Sequence, residues 1–313
     1  MSLPTPKIGL VTVLYQSDSV LPGFFKSLSA QTFKDYHLFL IDNSPTAAMP
    51  EIIDALNEQY PLSRYTYIAN SENKGVAFGN NQGIELSLNA GCSHTLLLNN
   101  DIEFDQVHLL AGMYRHAVAY KEVMIVPKIL FFDSRRIWMA GGRLLKWRGY
   151  TMHVGGLQED GPAYNKPGYF DYAPTCFMLI DNSLFAEVGR MDPTYFVYFD
   201  DTDFVYRAVK RGHQVYYMPE FVILHKESTS TGGIQSPFFT FYFNRNRLFF
   251  VRKNFRGVQR AVALLVTGLA AFRNLVRYNR SSRKILFKAL KEGLFLRTSE
   301  RTDTCLKPIH RAQ

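Results

Sequence analysis

Short apolar runs alternate with longer segments whose apolar residues recur at helical spacing through the first 128 residues. The short runs predict strands at 8–14, 37–41, 64–68, 95–98 and 123–126. The longer segments predict helices at 20–31, 50–60, 75–88 and 107–120. Strands that alternate with helices over this length are typical of βαβ units. This part of the chain is therefore expected to be an α/β unit with a mostly parallel central sheet.

The pattern changes after residue 128. Residues 138–172 are rich in Gly, Tyr and polar residues, and they predict irregular hairpins and loops. Further elements are predicted as strands at 176–180, 215–218 and 221–224 and as helices at 183–188 and 201–211. A boundary near residue 245 then precedes a basic segment. The predicted organisation is a catalytic domain at 1–245, with halves at 1–128 and 129–245, and a basic helical tail at 246–313.

Polar residues follow the predicted strands at their carboxyl ends, which is where open α/β sheets bind their ligands. Clustering at that edge is expected of a pocket that holds a nucleotide. A helix N-terminus within it offers backbone N–H groups to phosphate. The candidate binding residues are Leu14, Tyr15, Asp42, Asn73, Lys74, Gly75, Asn80, Asn99, Asn100 and Asp101.

A second cluster, at 200–203, places Asp200, Asp201 and Asp203 within four positions and surrounds them with aromatic residues. Acidic residues at the start of a helix often serve only to cap it. Capping does not explain the aromatic surroundings, however. A carboxylate in apolar surroundings has a raised pKa and suits general-base chemistry. Asp200 and Asp201 are therefore the candidate catalytic residues.

Asp101 and His225 are candidate ligands of a divalent cation. A cation that carries phosphates is typically bound by one or two carboxylates, with phosphate and water completing the shell. Asp101 follows an apolar strand, and His225 ends another, where a neutral imidazole can complete such a site. The alternatives are an Asn/Asp turn that caps a helix and a structural histidine.

Composition narrows the class of protein. Hydrophobic residues make up 47% of the chain, which allows a core without disulfides, and the 3 Cys have no metal-ligand spacing. These features fit a reducing cytoplasm. The chain lacks a Walker loop, a GxGxxG fingerprint, a serine nucleophile elbow and a paired-Cys zinc site. NTPase and dehydrogenase activities are therefore disfavoured.

Charge is unevenly distributed. Residues 246–313 carry 16 Lys and Arg against 3 Asp and Glu, whereas the rest of the chain carries 20 against 24. The tail is therefore expected to meet a polyanionic surface. Its apolar run at 261–272 is shorter than the about 20 residues that cross a bilayer. It is interpreted either as a buried helix with a solvated basic face or as an interfacial segment held by anionic lipids.

Five short motifs occur in order at 11–15, 41–44, 73–75, 98–101 and 199–203. In this order and spacing the chain resembles glycosyltransferase family 2, and within it the bacterial rhamnosyltransferase-like members, over residues 7–255. The resemblance implies a GT-A fold and inverting transfer from a nucleotide-diphospho-sugar, a donor class that includes dTDP-rhamnose. It also implies a Mg2+ or Mn2+ cofactor. By position, Asp42 lies at the nucleobase, Asp101 binds the metal, Asp201 is the base, and His225 is a metal or diphosphate ligand.

The chain departs from the family pattern in two places. Asn99 stands where the first acid of a DxD motif is usual, and Asp200 stands where Glu usually precedes the catalytic Asp. The shorter Asp200 leaves open which acid of the pair reaches the acceptor.

The expected partners are the nucleotide-sugar donor, a glycan or lipid-linked acceptor of cell-surface polysaccharide synthesis, and an anionic membrane surface. The expected location is the inner face of the cell membrane, with no nucleic acid bound. Two alternatives are a nucleotidyltransferase or pyrophosphorylase, and a non-enzymatic protein that binds polyanions through its tail. Residues 13–22 lack the Gly-rich basic loop of nucleotidyltransferases and pyrophosphorylases. A protein that only binds polyanions would have no use for the acid clusters.

Overall fold

The computed structural model describes residues 5–226 and 236–297. The strands are β1 (Ile8–Leu14), β2 (Tyr36–Asp42), β3 (Tyr65–Ala69), β4 (His94–Leu98), β5 (Ile102–Glu103), β6 (Met124–Phe131), β7 (Ile137–Met139), β8 (Gly142–Leu145), β9 (Tyr150–His153), β10 (Gly168–Phe170), β11 (Phe177–Asp181) and β12 (Val215–His225). The helices are α1 (Leu21–Ser29), α2 (Met49–Gln59), α3 (Val76–Asn89), α4 (Leu109–Tyr120), α5 (Ser183–Val188), α6 (Asp200–Lys210), α7 (Pro237–Asn254), α8 (Gly257–Arg277) and α9 (Arg280–Phe295).

One large mixed sheet organises the catalytic part, in the order β3-β2-β1-β4-β11-β6-β12-β10. The strands from β3 to β4 are parallel neighbours, as are β6 and β12. Strand β11 lies antiparallel to both of its neighbours, and β10 lies antiparallel to β12. The strands of the first half thus present their carboxyl ends at one edge, as the sequence predicts.

The centre of the first half forms because β1 and β4 are buried along almost their whole length. Every residue of β4 is buried, and six of the seven residues of β1 are. Helix α3 packs closely on β1, since a Cβ added at Gly83 would lie 2.1 Å from Cγ1 of Val11. This contact fixes the N-terminus of α3 near the carboxyl ends of the strands.

The region at 138–172 contains a separate β8–β9 hairpin and the short strands β7 and β10, which matches the expected hairpins and loops. The two strands predicted at 215–218 and 221–224 are a single strand, β12. Pro219 lacks an N–H and interrupts the ladder, but the register only shifts between Met218 and Val222 before pairing resumes. The prediction of two strands was therefore wrong.

Helices α7, α8 and α9 follow the sheet, and the predicted domain boundary at 245/246 lies inside α7. Helix α9 approaches α7 closely at Gly293, where an added Cβ would lie 2.6 Å from the Arg245 carbonyl oxygen. Arg252 donates hydrogen bonds to the carbonyl oxygens of Gly293 and Leu296 at 2.8 and 3.1 Å. These contacts bind α9 firmly to α7.

Helix α8 buries only the small residues Ala263, Thr267 and Ala271, which lie on one face. The apolar run at 261–272 is thus half packed and half exposed. No helix among the described residues combines the length and apolarity that a membrane crossing requires. The exposed apolar stripe of α8 comprises Val258, Val262, Leu265, Leu269, Phe272 and Val276.

Candidate functional site

The carboxyl ends of β1, β2 and β4 meet at one edge of the sheet and bring the predicted polar residues together. Asn100 donates to the Val13 carbonyl at 3.1 Å and to Oγ of Ser17 at 2.7 Å. Ser17 also receives a hydrogen bond from the backbone N–H of Tyr15, whose side chain is exposed. Asn100 therefore shapes the loop after Leu14 and leaves the Tyr15 ring open to a ligand.

Asp42 lies fully buried at the end of β2. Its Oδ2 accepts a 2.8 Å hydrogen bond from the Tyr67 hydroxyl, and its Oδ1 accepts one of the same length from the backbone N–H of Ser44. Beside it, at the end of β3, is a cleft of about 290 Å³. The residues lining this cleft include Asn70, Glu72, Lys74, Phe78 and Gln82.

Gly75 fixes the start of α3. It has a φ of 90°, and an added Cβ would lie 2.3 Å from the Phe196 carbonyl oxygen. The backbone N–H of Gly75 donates to Oδ1 of Asn73 at 2.9 Å, and Lys74 pairs with Glu72 at 3.2 Å. The segment at 73–75 thus contacts the loop that precedes Asp200.

Asn80 lies one turn further along α3 and points elsewhere. Its amide nitrogen lies 3.5 Å from Sδ of Met191, and the side chain is buried. The structure does not bring it to the carboxyl edge with the other predicted residues.

Asp101 and His225 meet because β5, which directly follows Asp101, pairs with the end of β12. Oδ1 of Asp101 lies 3.2 Å from Nε2 of His225. Both side chains are buried, and neither of these atoms has a well-oriented hydrogen-bond partner among the described residues. Burial raises the pKa of Asp101, but His225 and a hydrogen bond from Asn99 outweigh it and hold the pKa below its ordinary value.

This pair fits a divalent cation that also binds phosphate. Oδ1 of Asp101 and Nε2 of His225 are buried atoms that can ligate a metal, and they face each other at the carboxyl edge. Neither has a hydrogen-bond partner among the described residues. No group of three or more His, Cys, Asp or Glu suited to a metal occurs in the described part of the chain. A cation there would need diphosphate and water for its remaining ligands, which is usual for Mg2+.

The three acids of 200–203 have different surroundings. Asp203 is fully buried, and its carboxylate accepts hydrogen bonds from Arg207 at 2.8 Å, Lys253 at 2.9 Å and Asn254 at 2.8 Å. Burial raises its pKa, but Lys253 and Arg207 outweigh that effect and lower it. Asp203 therefore binds α6 to α7 and has no capacity left for chemistry.

Asp200 and Asp201 lie at the start of α6, and both have raised pKa values. For Asp200 the main cause is burial, followed by the charge of Asp201. For Asp201 burial again dominates, although hydrogen bonds to its carboxylate from Tyr172 and Thr202 oppose it. Asp201 is the more exposed of the two. A partly exposed carboxylate with a raised pKa is equipped to accept a proton.

A wall of aromatic rings connects Asp201 to His225. The Tyr172 hydroxyl donates to Oδ2 of Asp201 at 2.8 Å, and the Tyr172 ring stacks on His153 at 6.1 Å. His153 contacts Trp138 at 4.4 Å, and Trp138 contacts His225 at 4.7 Å between ring centroids. The acid pair and the candidate metal ligands are therefore connected by one continuous series of side-chain contacts.

His153 is neutral in this wall. Burial lowers its pKa to about 4. Its Nδ1 lies 3.1 Å from the Trp138 carbonyl oxygen, which can only accept, so Nδ1 carries the proton. Nε2 is left as an acceptor for a ligand hydroxyl. Sequence reasoning missed Trp138, His153 and Tyr172 because they lie in the segment at 138–172 that carries no motif.

Comparisons with known proteins identify the family and the fold. The family model described as "Glycosyl transferase family 2" matches residues 10–184. A low-salt glycan biosynthesis hexosyltransferase, Agl10, of Haloferax volcanii is 22% identical over 244 residues, covering 77% of this chain and 74% of the relative. An N-acetylglucosaminyl-diphospho-decaprenol L-rhamnosyltransferase of Mycobacterium tuberculosis is 26% identical over 249 residues, covering 73% of this chain and 78% of the relative.

Among solved structures, the chain is similar to the mannosyltransferase PcManGT from Pyrobaculum calidifontis in complex with GDP-Man and Mn2+. The TM-score is 0.58 at 10% identity, with 93% of this chain and 85% of that chain covered. This likeness confirms the expected GT-A fold.

Proposed function

Because this chain belongs to glycosyl transferase family 2, we propose that it moves a hexosyl or rhamnosyl group, with inversion, from a nucleoside diphosphate sugar to a hydroxyl of a glycan or lipid-linked acceptor. The observation that carries the proposal is the wall of Trp138, His153 and Tyr172, which connects Asp201 to the Asp101–His225 pair. Inverting transfer needs a base on the acceptor side and charge neutralisation on the diphosphate side.

The donor would bind along the carboxyl edge of β1 to β4. The volume of the cleft beside Asp42 is close to that of the smaller ligand-binding pockets of proteins. Phe78 contributes an aromatic ring to its lining, and Lys74 contributes a positive charge. A nucleoside in this cleft would direct its diphosphate toward Asn99 and Asp101. Tyr15, exposed at the end of β1, would cover the base or ribose.

Asp101 and His225 would hold Mg2+ or Mn2+ together with the diphosphate. When bound, the cation neutralises charge that develops on the departing diphosphate. Asn99 would support the site by its hydrogen bond to Asp101. The mannosyltransferase with the similar fold was solved with Mn2+, which supports this part of the proposal.

Asp201 would act as the base, from the opposite side of the cleft. It accepts the proton of the acceptor hydroxyl while the oxygen of that hydroxyl bonds to the anomeric carbon. The bond from this carbon to the diphosphate oxygen breaks, and the nucleoside diphosphate departs with the electron pair. Tyr172 and Thr202 hold the Asp201 carboxylate in a fixed orientation. Asp200, with its raised pKa, would keep a proton and leave the charge on Asp201.

The acceptor would arrive at a membrane surface. The exposed stripe of α8 is apolar, with Phe272 67% exposed, and Arg256, Arg260, Arg273 and Arg277 lie on the same helix or next to it. Apolar insertion flanked by cations is the pattern of helices that lie in the interface of anionic bilayers. The rhamnosyltransferase relative is named for a diphospho-decaprenol substrate, which supports a lipid-linked acceptor at such a surface.

A screen of nucleotide sugars tests the catalytic proposal. We expect at least one donor to raise the unfolding midpoint in the presence of Mn2+, because a ligand at about 100 times its Kd stabilises the folded state by about 2.7 kcal/mol. The same donor should release nucleoside diphosphate and label an acceptor. Formation of pyrophosphate from sugar phosphate and nucleoside triphosphate, without sugar transfer, would establish a pyrophosphorylase instead.

Co-sedimentation with lipid vesicles tests the membrane proposal. We expect binding to anionic but not to neutral vesicles, because each Lys or Arg near such a surface contributes about 1 kcal/mol. High salt should abolish it. A folded protein that fails to bind anionic vesicles at low salt would leave the stripe as a contact between protein chains and remove the membrane from the proposal.

A further inference from the structure

The loop between Tyr195 and Asp200 has a strained backbone. Phe196, Tyr198 and Phe199 have φ values of 66°, 62° and 68°, in the left-handed region that favours glycine. Residues held in sparsely populated backbone conformations cost of order 1–3 kcal/mol each and persist only where their surroundings enforce them. Three such residues within four positions, directly before the acid pair, require an explanation.

The explanation is the side chain of Asn246, which is fully buried on α7. Its amide nitrogen lies 2.8 Å from the carbonyl oxygen of Tyr195, 2.7 Å from that of Val197 and 2.9 Å from that of Tyr198. Two N–H bonds are thus shared among three carbonyl groups of the loop. Its Oδ1 accepts a 2.8 Å hydrogen bond from Nε of Arg245, which fixes the orientation of the amide.

Arg245 adds hydrogen bonds from α7 to the start of the same loop. Its Nη2 donates to the carbonyl oxygens of Thr194 and Tyr195 at 3.0 and 2.8 Å. Helix α6 begins directly after the loop, and the backbone N–H of Asp203 donates to the Phe199 carbonyl at 2.9 Å. The position of the loop therefore sets the position of the first turn of α6, which carries Asp200 and Asp201.

We propose that Asn246 is a positioning residue for sugar transfer: its amide holds the loop at 195–198 in the shape that directs Asp201 into the acceptor cleft. This inference rests on the proposed function, since it takes Asp201 as the base. Asn246 donates to carbonyl groups of the loop, and the segment at 73–75 meets that loop through Phe196, so we expect the main effect of Asn246 in the chemical step.

Asn244 provides a matched control on the same helix. Within the described residues, its amide nitrogen donates to the Thr240 carbonyl, one turn back, at 2.7 Å. Asn244→Ala therefore removes the same kind of side chain without touching the loop. Asn246→Asp is the discriminating variant, because it keeps the shape of the side chain but replaces the N–H groups with oxygens that repel the three carbonyls.

Hydrogen exchange and kinetics together test the proposal. We expect Asn246→Ala and Asn246→Asp to accelerate amide exchange at 195–203 and at Val76, whose N–H donates to the Phe196 carbonyl at 2.7 Å. Exchange in α4 should not change, and Asn244→Ala should leave all of these amides unchanged. With the donor found by the nucleotide-sugar screen, both Asn246 variants should lower kcat by about tenfold or more, the effect of about 1.4 kcal/mol on the barrier. The KM for the donor should stay near the wild-type value.

Two outcomes would overturn the inference: wild-type exchange at 195–203 in both variants, or wild-type kcat in a variant whose loop exchanges faster. If neither Asn246 variant folds, Arg245→Lys removes the contacts to Thr194 and Tyr195 and should cause the same changes to a smaller degree. Failure of the proposed function is distinguishable, because wild-type protein would then transfer no sugar while the exchange experiment still reports on the loop.

Discussion

The Tyr172 hydroxyl donates a 2.8 Å hydrogen bond to Oδ2 of Asp201. This bond joins the irregular segment at 138–172 to the start of α6 and stabilises the charged form of the carboxylate. It opposes the effect of burial, which raises the pKa of Asp201. The strength of Asp201 as a base therefore depends on a residue that belongs to neither acid motif.

Removing this hydroxyl should shift the pH dependence of transfer. Tyr172→Phe removes a bond that lowers the pKa of Asp201, so the pKa should rise and the acid limb of the kcat profile should move to higher pH. A hydrogen bond to a charged group contributes about 1.5 kcal/mol or more, so kcat on the acid limb should fall roughly tenfold. Tyr217→Phe is the control, because its hydroxyl donates to the Tyr164 carbonyl instead. An acid limb that stays in place or moves to lower pH would contradict this account.

Asp200 should make the stability of the protein depend on pH. The pKa of Asp200 is raised in the folded state, so its protonated form stabilises the fold. This contribution to the free energy of unfolding is lost as the pH rises from the ordinary carboxyl range through the raised pKa. Asn cannot ionise. The melting temperature of Asp200→Asn should therefore exceed that of the wild type at alkaline pH, with a difference that shrinks as the pH falls. Melting curves across this range check the prediction, and a difference independent of pH would refute it.

Binding of the nucleoside diphosphate should require a metal ion. Titration calorimetry should show strong binding with Mn2+ and weak binding with EDTA. Asp101→Asn should weaken the metal-dependent binding by at least about tenfold, a loss seen even for residues that merely support a metal ligand. His225→Ala should act in the same direction. Equal affinity in Mn2+ and EDTA would make nearby basic groups the partners of the diphosphate.

The exposed stripe of α8 should be needed for membrane binding but not for chemistry. Combined substitution of Leu265, Leu269 and Phe272 by Ser should lower the affinity for anionic vesicles and leave transfer to a soluble acceptor unchanged. Val118→Ser and Tyr120→Ser remove exposed apolar side chains outside the tail and serve as controls. Unchanged vesicle binding by the stripe variant would assign the attraction to the basic residues alone.

The elements that could be predicted are those with strong local patterns. Strand β1 and helix α5 occur at the predicted residues, because an apolar run and a helical period determine them locally. The clustering of Asp42, Asn100 and Asp101 followed from the rule for parallel sheets. The single strand β12 was missed, because Pro219 reads as a break although the ladder resumes after it.

Other parts of the site depend on contacts that no local pattern encodes. Trp138, His153 and Tyr172 join the site through ring contacts among residues far apart in the chain. Asp203 was not among the candidate catalytic residues, and its contacts with Lys253 and Asn254 on α7 show the structural role that the sequence did not reveal. Cys305 and residues 298–313 of the predicted tail lie outside the described residues.

The central claim, that Asp201 is the base of a sugar transfer, is tested most directly by the single-turnover rate of Asp201→Asn with donor and acceptor both bound. We predict a fall of about 10²–10⁴-fold, the usual contribution of a general base, with the donor Kd nearly unchanged. Asp200→Asn, measured beside it, should retain most of the wild-type rate. A near-wild-type rate for Asp201→Asn, together with a large loss for Asp200→Asn, would contradict the assignment and identify Asp200 as the base.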